Sequence, residues 1–540
     1  MPLRWDAWRD ELEAAGCLEQ FADLPVGLRD GFPLGVSSSV LSTFTPRNHK
    51  SSLAYPAAIR DHIATELSAR RYSGPFHPSR LESLIGPFRS SPLGVVPKPN
   101  GTSFRIVQDF SYPRDSSSTF SVNSEIDIND FPCEWGTFAD CALLILNAPP
   151  GTQVSVNDVE KAYRNMPVWP AHQNHVVVMW DDLVYMDHCV AFGGVSSGGI
   201  FGRAGDAISR IFKFHGIPDL VKWVDDFAFF RYPSATRLDG SFEYTVDESI
   251  IFTVAARLGW PWSLPKHVPF AFSFVYVGFL WDIPARTVEL PEKKKTKYLL
   301  RLAPWLAGAS VSRKDVEVIV GTLNHCSLAV PDGRSRLPSL YRLSAGFRSH
   351  EADFVKHRIS AAALSDVEWW RARLSDTFCG SNLYIPPMST SHRIFVDAST
   401  SWGIGLVVND RWFAWKLKDG WRSEGRDIGW AEMVAVELAV WHLVADGTTD
   451  TQFLIHSDNQ GVCGALDAGC SRSLQQNRVL QHIVGLFAVH GVWAKTVWVA
   501  SKDNIADAPS RGVFPSVSDM LPSTVKLPHV LIPYVSSPVV

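Results

Sequence analysis

The residues best placed to do chemistry in this chain are seven carboxylates that fall at the ends of apolar runs. Asp158 closes the run 153–157, while Asp225 and Asp226 sit between the runs 220–224 and 227–230, as the tip of a hairpin would hold them. Farther on, Asp397 follows Ile394, Phe395 and Val396, and Asp458 follows the run 453–457. Glu432 opens a stretch in which Met433, Val436, Val440 and Leu443 recur at helical spacing, which sets the acid on the edge of that face, and Asp507 begins a short helix. Acids that converge on one spot bind hard divalent cations, and paired cations activate a hydroxyl or a water for attack on a phosphoryl group. An Asp-Asp pair alone means little, because residues 181–182 repeat it; there the flanking Trp180 and Leu183 read as an ordinary exposed turn.

Elements must bring these acids together. Residues 1–90 mix short amphipathic helical patterns, such as 56–71, with Gly/Pro/Ser-rich connections, and read as an N-terminal extension packed on the domain after it. Residues 91–285 alternate strand-like and helical runs, an α+β pattern with strands over 94–97, 153–157, 176–180, 221–232 and 272–282. The longest apolar run, 270–281, is too short to span a bilayer and reads as a buried strand. Residues 286–390 turn helical. Residues 391–515 then give strands at 393–398, 403–408 and 411–417, a helix over 431–444, a strand at 452–456, a helix near 473–489, a strand at 493–499 and a short helix from about 504. The stretch after Gly512, rich in Pro, Ser and Val, reads as loosely ordered, with 516–540 as a tail.

Bulk composition bounds the rest. A length of 540 residues suggests three or four domains of about 150 residues each, and 46% hydrophobic residues suffice for real cores. The charged N-terminus lacks the apolar core of a signal peptide. Eight cysteines, scattered from Cys17 to Cys470 without a Cys-x-x-Cys pair, point to reduced thiols in an intracellular protein, cytoplasmic or nuclear, with no membrane partner. A net charge of −4 runs against phosphate binding, yet Arg70, Arg71, Lys293, Lys294, Lys295 and Lys297 cluster locally, and acidic outer faces can mask a basic groove.

The segments around Asp158 and around Trp223, Val224, Asp225 and Asp226 resemble the palm motifs of reverse transcriptases, with Trp223 in place of the usual Tyr. Residues 92–101 and then 104–111 resemble the fingers hairpin that closes over a nucleotide, so the resemblance implies that Lys98 and Arg105 bind the triphosphate. It implies that Tyr163, five residues after Asp158, is the steric gate against a ribose 2′-hydroxyl. It also implies that the loop from Phe192 and Gly193 to Phe201 braces the template and nascent pair, and that Lys266 protonates the pyrophosphate leaving group. Gly198 and Gly199 depart from the family's usual Ala-Pro, and residues 275–280 are similar to its primer-grip strand. In the last region Asp-Ala-Ser after the first strand, Ser-Asp-Asn after the fourth and Asn504-x-Ala-Asp-x-x-Ser-Arg511 resemble a ribonuclease H domain of retroelements. There Asp397, Glu432, Asp458 and Asp507 would be the metal ligands, with Ser399, Asn459 and Arg511 in support.

The fold implied is an α+β right-hand polymerase, with fingers and palm over 91–285 and a helical thumb and connection over 286–390. An α/β ribonuclease H-like domain with a mixed five-stranded sheet comes next, over 391–515. Its activities would be RNA-directed DNA polymerisation and cleavage of the RNA strand of RNA–DNA hybrids. The cofactor would be Mg²⁺, two per site, which Mn²⁺ could replace; Asp158, Asp225 and Asp226 would hold the first pair. The partners are an RNA template, a DNA primer, the hybrid and deoxynucleoside triphosphates. Residues 31–35, 72–76 and 121–126 are similar to those of DIRS-type retrotransposons, with gypsy-type elements the alternative; a coat protein and a recombinase or integrase are then expected on other chains or segments. Two rival readings are a retroelement relic that binds nucleic acid without catalysis and a host polymerase that extends a defined end.

Overall fold

The computed structural model describes residues 2–98, 103–114, 120–348, 351–352, 354–522 and 527–536. They divide into two units, residues 1–277 with 282–284, and residues 278–281 with 285–540.

The first unit is built around an antiparallel sheet of β4 (Gln153–Asp158), β7 (Asp219–Trp223), β8 (Asp226–Arg231) and β9 (Val268–Ala271), in the order β9-β4-β8-β7. Phe227 and Phe229 on β8 are fully buried, and with Phe201, Phe212, Trp260 and Trp262 they form an aromatic layer beneath the sheet. Residues of the N-terminal stretch complete that layer. Trp8, on helix α1 (Trp5–Ala14), lies 5.7 Å from the Trp260 ring, and its indole N–H donates to the Leu258 carbonyl at 3.1 Å. Helix α2 (Pro56–Ser68) leads into β1 (Tyr72–Phe76), which pairs with β6 (Leu183–Asp187), itself paired with β5 (Val178–Trp180). Asp181 and Asp182 form the exposed two-residue loop of the β5–β6 hairpin, both at positive φ, as the twist of such a hairpin demands. A second hairpin pairs β2 (Leu93–Pro97) with β3 (Phe104–Gln108); its turn, including the expected Pro99, Asn100 and Gly101, lies outside the described residues. Helix α3 (Ser197–Phe214) packs Ile200, Ala204, Ile208 and Ile211 into the core at i, i+4 and i+3 spacing.

The apolar run 270–281 does not form one strand. Its first two residues end β9, and the rest forms β10 (Ser273–Tyr276) and β11 (Phe279–Asp282), parted where Val277 (φ 44°) and Gly278 (φ 85°) take left-handed backbone. Hydrophobicity alone does not register such a break, because Val277 is as apolar as its neighbours.

In the second unit, helices α4 (Glu292–Leu302), α5 (Arg313–Cys326), α6 (Pro338–Ala345) and α7 (Ala361–Ser375) precede a five-stranded mixed sheet. Its strands are β12 (Ile394–Ala398), β13 (Gly403–Val408), β14 (Arg411–Lys416), β15 (Thr451–Ser457) and β16 (Val492–Trp498), in the order β14-β13-β12-β15-β16. Helix α8 (Ile428–Ala445) starts at Asp427, whose carboxylate accepts from the Trp430 amide at 3.0 Å. It is long and apolar enough to cross a membrane by length and composition, but 72% of that stretch is buried inside the unit. It is therefore apolar nearly all round and Glu432 is enclosed, where the spacing of Met433, Val436, Val440 and Leu443 had suggested one face with the acid on its edge. After strand β15 comes a helix that the residue pattern does not predict, α9 (Gln460–Ala468), and then α10 (Leu474–His490); two Gly residues in α9 weaken its helical signal. The stretch expected to be loosely ordered packs instead: Leu521, Leu531 and Val535 are buried in the same core as α8, with Val535 bridged to Leu417, Met520 to Trp412, and the Tyr534 ring 5.7 Å from Trp430.

Candidate functional sites

Two sets of acids converge, one in each unit. In the first, the β4–β8 register sets Asp158 directly opposite Asp226, and the Val159 amide donates to the Asp225 carbonyl at 2.8 Å. Trp223 pairs with Asp226, so Val224 and Asp225 are a two-residue hairpin loop. Val224 carries φ 53°, a conformation that costs a β-branched residue about 1–2 kcal/mol and is met chiefly where a loop is held to a task. Burial, then the neighbouring Asp225 and Asp158, push the Asp226 carboxyl up to about 6. Burial also raises Asp225, with Asp158 adding to the effect and Lys266 and Arg105 opposing it. Asp158 and Asp226 face each other across the strands with Asp225 next in the chain, and neighbouring acids resist full ionisation unless a cation joins them. Lys266 supplies part of that charge, with its ammonium 2.7 Å from the Asp158 carboxylate. Burial would lower the Lys266 pKa, but the bond to Asp158 and the charges of Asp158, Asp225 and Asp226 together outweigh it and the pKa rises.

Tyr163 lies in the single helical turn Ala162–Asn165 that comes after β4. Its ring is 4.7 Å from Phe192, which is 45% exposed, and 5.7 Å from the buried Phe201. Burial raises the Tyr163 hydroxyl pKa, and the charge of Asp225 adds to it. Gly193 has φ 105°, and a Cβ there would stand 2.8 Å from the Gln108 carbonyl, so only glycine lets the loop approach β3. Asn123 clasps the same loop, donating to the Gly193 carbonyl and accepting from the Val195 amide, both at 2.9 Å. Arg105, on β3, is near enough to act on Asp225, whereas Lys98 stands exposed at the end of β2.

In the second unit, β12 runs parallel to β15 with Phe395 level with His456, a register that carries Asp397 to the height of Asp458. Asp397, Asp458 and Glu432 from α8 offer carboxylate oxygens that all lie within 4.8 Å of one another. Among the described residues they are the only His, Cys, Asp or Glu group that converges so tightly. Burial, then Asp397 and Asp458, push Glu432 up to about 9; burial pushes Asp397 up to about 6. One Glu432 oxygen is buried without a hydrogen-bond partner. An oxygen-only set with an orphaned buried carboxylate oxygen fits a hard divalent cation such as Mg²⁺, which would remove the electrostatic conflict. Asp507 stands outside this trio, paired with Arg511 at 2.8 Å.

Two residues to which the sequence alone assigned no role hold Asp397 in place. The Ser510 hydroxyl donates to one of its oxygens, and the Asn504 amide reaches the other at 3.4 Å while donating to the Val396 carbonyl at 3.0 Å. Both belong to the Asn-x-Ala-Asp-x-x-Ser-Arg segment, so their pairing with a carboxylate was the available signal. Opposite Asp397 on β13 is Gly405, where a Cβ would meet the Ala506 carbonyl at 2.5 Å and the Ser510 amide at 2.7 Å. Trp498, half exposed, donates to the Asp458 carbonyl at 3.0 Å.

No protein-family model and no curated protein matches the chain. Solved structures similar to it include a foamy viral protease-reverse transcriptase in complex with an RNA/DNA hybrid, at 14% identity and TM-score 0.49, covering 92% of this chain and 59% of that one. A foamy viral protease-reverse transcriptase form in complex with double-stranded DNA has 14% identity and TM-score 0.47, covering 92% and 81%. Another such complex with double-stranded DNA has 14% identity and TM-score 0.45, with 86% of each chain covered. The chain thus spans well under two thirds of the length of the first of these.

Proposed function

We propose that the chain is an RNA-directed DNA polymerase of a retroelement, with a ribonuclease H activity in its second unit. The observation that supports this reading is the pairing, in one chain, of two acid clusters on two different sheets. One faces across the paired antiparallel strands β4 and β8, and the other spans the parallel strands β12 and β15 and helix α8. Asp158, Asp225 and Asp226 would hold one pair of Mg²⁺ ions, and Asp397, Glu432 and Asp458 the other, which Asp507 would join on releasing Arg511. The bound ions supply the Lewis acidity that makes a hydroxyl or a water nucleophilic at neutral pH.

The chain's own residues do the rest. Val224 and the β7–β8 turn present Asp225 and Asp226 toward the primer end. Arg105 and Lys98 hold the negative charge of the incoming triphosphate, which grows on the leaving group as the bond breaks. Lys266, at Asp158, donates a proton to the departing pyrophosphate. Tyr163, braced on Phe192, fills the space that a 2′-hydroxyl would need. In the second unit Ser510 and Asn504 keep Asp397 in one orientation, as outer partners of metal ligands do.

The test uses a hybrid with a labelled RNA strand. The wild type should shorten the RNA with Mg²⁺, and Asp458→Asn should stop cleavage while leaving primer extension intact. Undiminished cleavage by Asp458→Asn would remove the second activity from this site.

A further inference from the structure

We propose that Arg164 is a positioning residue that sets sugar selection, because one guanidinium fixes Tyr163 and Phe192 relative to each other; the inference rests on the polymerase reading above. Arg164 comes directly after Tyr163 in the turn beyond β4 and is buried, 7% exposed. Its Nε and Nη2 donate to a Glu66 carboxylate oxygen at 3.1 and 2.7 Å. Nη2 and Nη1 bind the two oxygens of the fully buried Asp187 at 3.0 and 2.8 Å, a bidentate pair.

Nη1 also donates to the Cys189 and Val190 carbonyls at 3.2 and 3.4 Å, the latter two residues before Phe192. Asp187 holds the same stretch from the other side, accepting from the Cys189 amide at 2.9 Å. The Val190 amide donates to the Met166 carbonyl at 2.9 Å, which joins the two segments again. The aromatic pair therefore has one side attached to Arg164 through the chain and the other through these carbonyls.

The surrounding charges provide an internal control. Glu66 and Asp187 face Arg71 and Arg164, so the buried group is balanced, and removing a whole charge would leave an uncompensated ion. Arg71 binds Glu66 through Nε and Nη2, both at 2.7 Å, and its tie to the neighbouring stretch is a backbone one that a lysine keeps, the Arg71 carbonyl accepting from the His188 amide at 2.9 Å. A lysine keeps the charge at either position but lacks the planar fork that serves several acceptors. Arg164→Lys and Arg71→Lys thus loosen the same cluster, and only the first frees the loop that carries Phe192.

The experiment measures kcat/KM for a deoxynucleotide and for the matching ribonucleotide on an RNA template, with the melting temperature of each protein. The full chain is compared with Tyr163→Ala, Arg164→Lys and Arg71→Lys. The ratio of the two kcat/KM values should fall by about tenfold or more in Arg164→Lys, toward the Tyr163→Ala value. In Arg71→Lys it should hold even where the melting temperature drops as far. If Arg164→Lys does not fold, Asp187→Glu carries the same comparison, since it keeps the charge and displaces the two oxygens that hold the fork. An unchanged ratio in the tested Arg164 or Asp187 variant, or an equal fall in Arg71→Lys, would overturn the inference and leave the polymerase reading standing. A wild type that adds neither nucleotide would refute both.

Discussion

Burial and the neighbouring acids raise the Glu432 and Asp397 carboxyls well above their ordinary values. An acid whose folded pKa is raised favours its neutral form, so folding loses stability as pH climbs from the ordinary value toward the folded one. For Asp397 that window runs from 3.8 to about 6, and for Glu432 from 4.5 to about 9. A cation binds only the ionised acids, so it must displace these protons, and its affinity should rise with pH. Mg²⁺ should accordingly raise the melting temperature more at about pH 8.5 than at about pH 6. An equal or opposite shift, measured by thermal unfolding at both values, would argue against a metal site at this trio. The acids themselves were legible in the sequence because each stands at the end of a patterned run. Ser510 and Asn504 were not, since a Ser or Asn near a helix start is usually a cap. Only the folded chain shows that both point at Asp397.

At the scale of elements, the second site depends on how closely the last helical turn, Asp507–Ser510, approaches the sheet. Gly405 permits that approach, and the nearest atoms facing it are backbone, which cannot move aside as a flexible side chain could. Gly405→Val should therefore shift this turn with its Ser510, lower RNA cleavage by about 100-fold and cost about 1–3 kcal/mol of stability. Cleavage close to wild type would show that the turn has freedom the packing denies. Strands with alternating or β-branched patterns, such as β4, β8, β12 and β15, were readable from sequence because period and composition agree. The break at Val277–Gly278 and helix α9 were not, because a left-handed Val and a Gly-containing helix leave no distinct periodic trace. The full burial of α8 was hidden for a related reason: a helix apolar on all sides has no polar face to orient it.

Across the whole chain, the N-terminal residues and the tail matter more than their composition suggests. Trp8 completes the aromatic layer under β8, and Leu531 and Val535 close the core around α8. Neither contact can be inferred from local sequence, because each joins residues separated by more than 80 positions to form part of a core. The net charge of −4 likewise averages 55 acids against 51 Lys and Arg over the whole chain, so it says little about a local groove.

The most direct test of the account is extension of a labelled DNA primer on an RNA template by the purified chain, with Mg²⁺ and deoxynucleotides, beside the doubly substituted Asp225→Asn, Asp226→Asn protein. The wild type should extend the primer and the double variant should not. A folded wild type that binds the primer-template and fails to extend it, or a double variant that extends as well as the wild type, would contradict it.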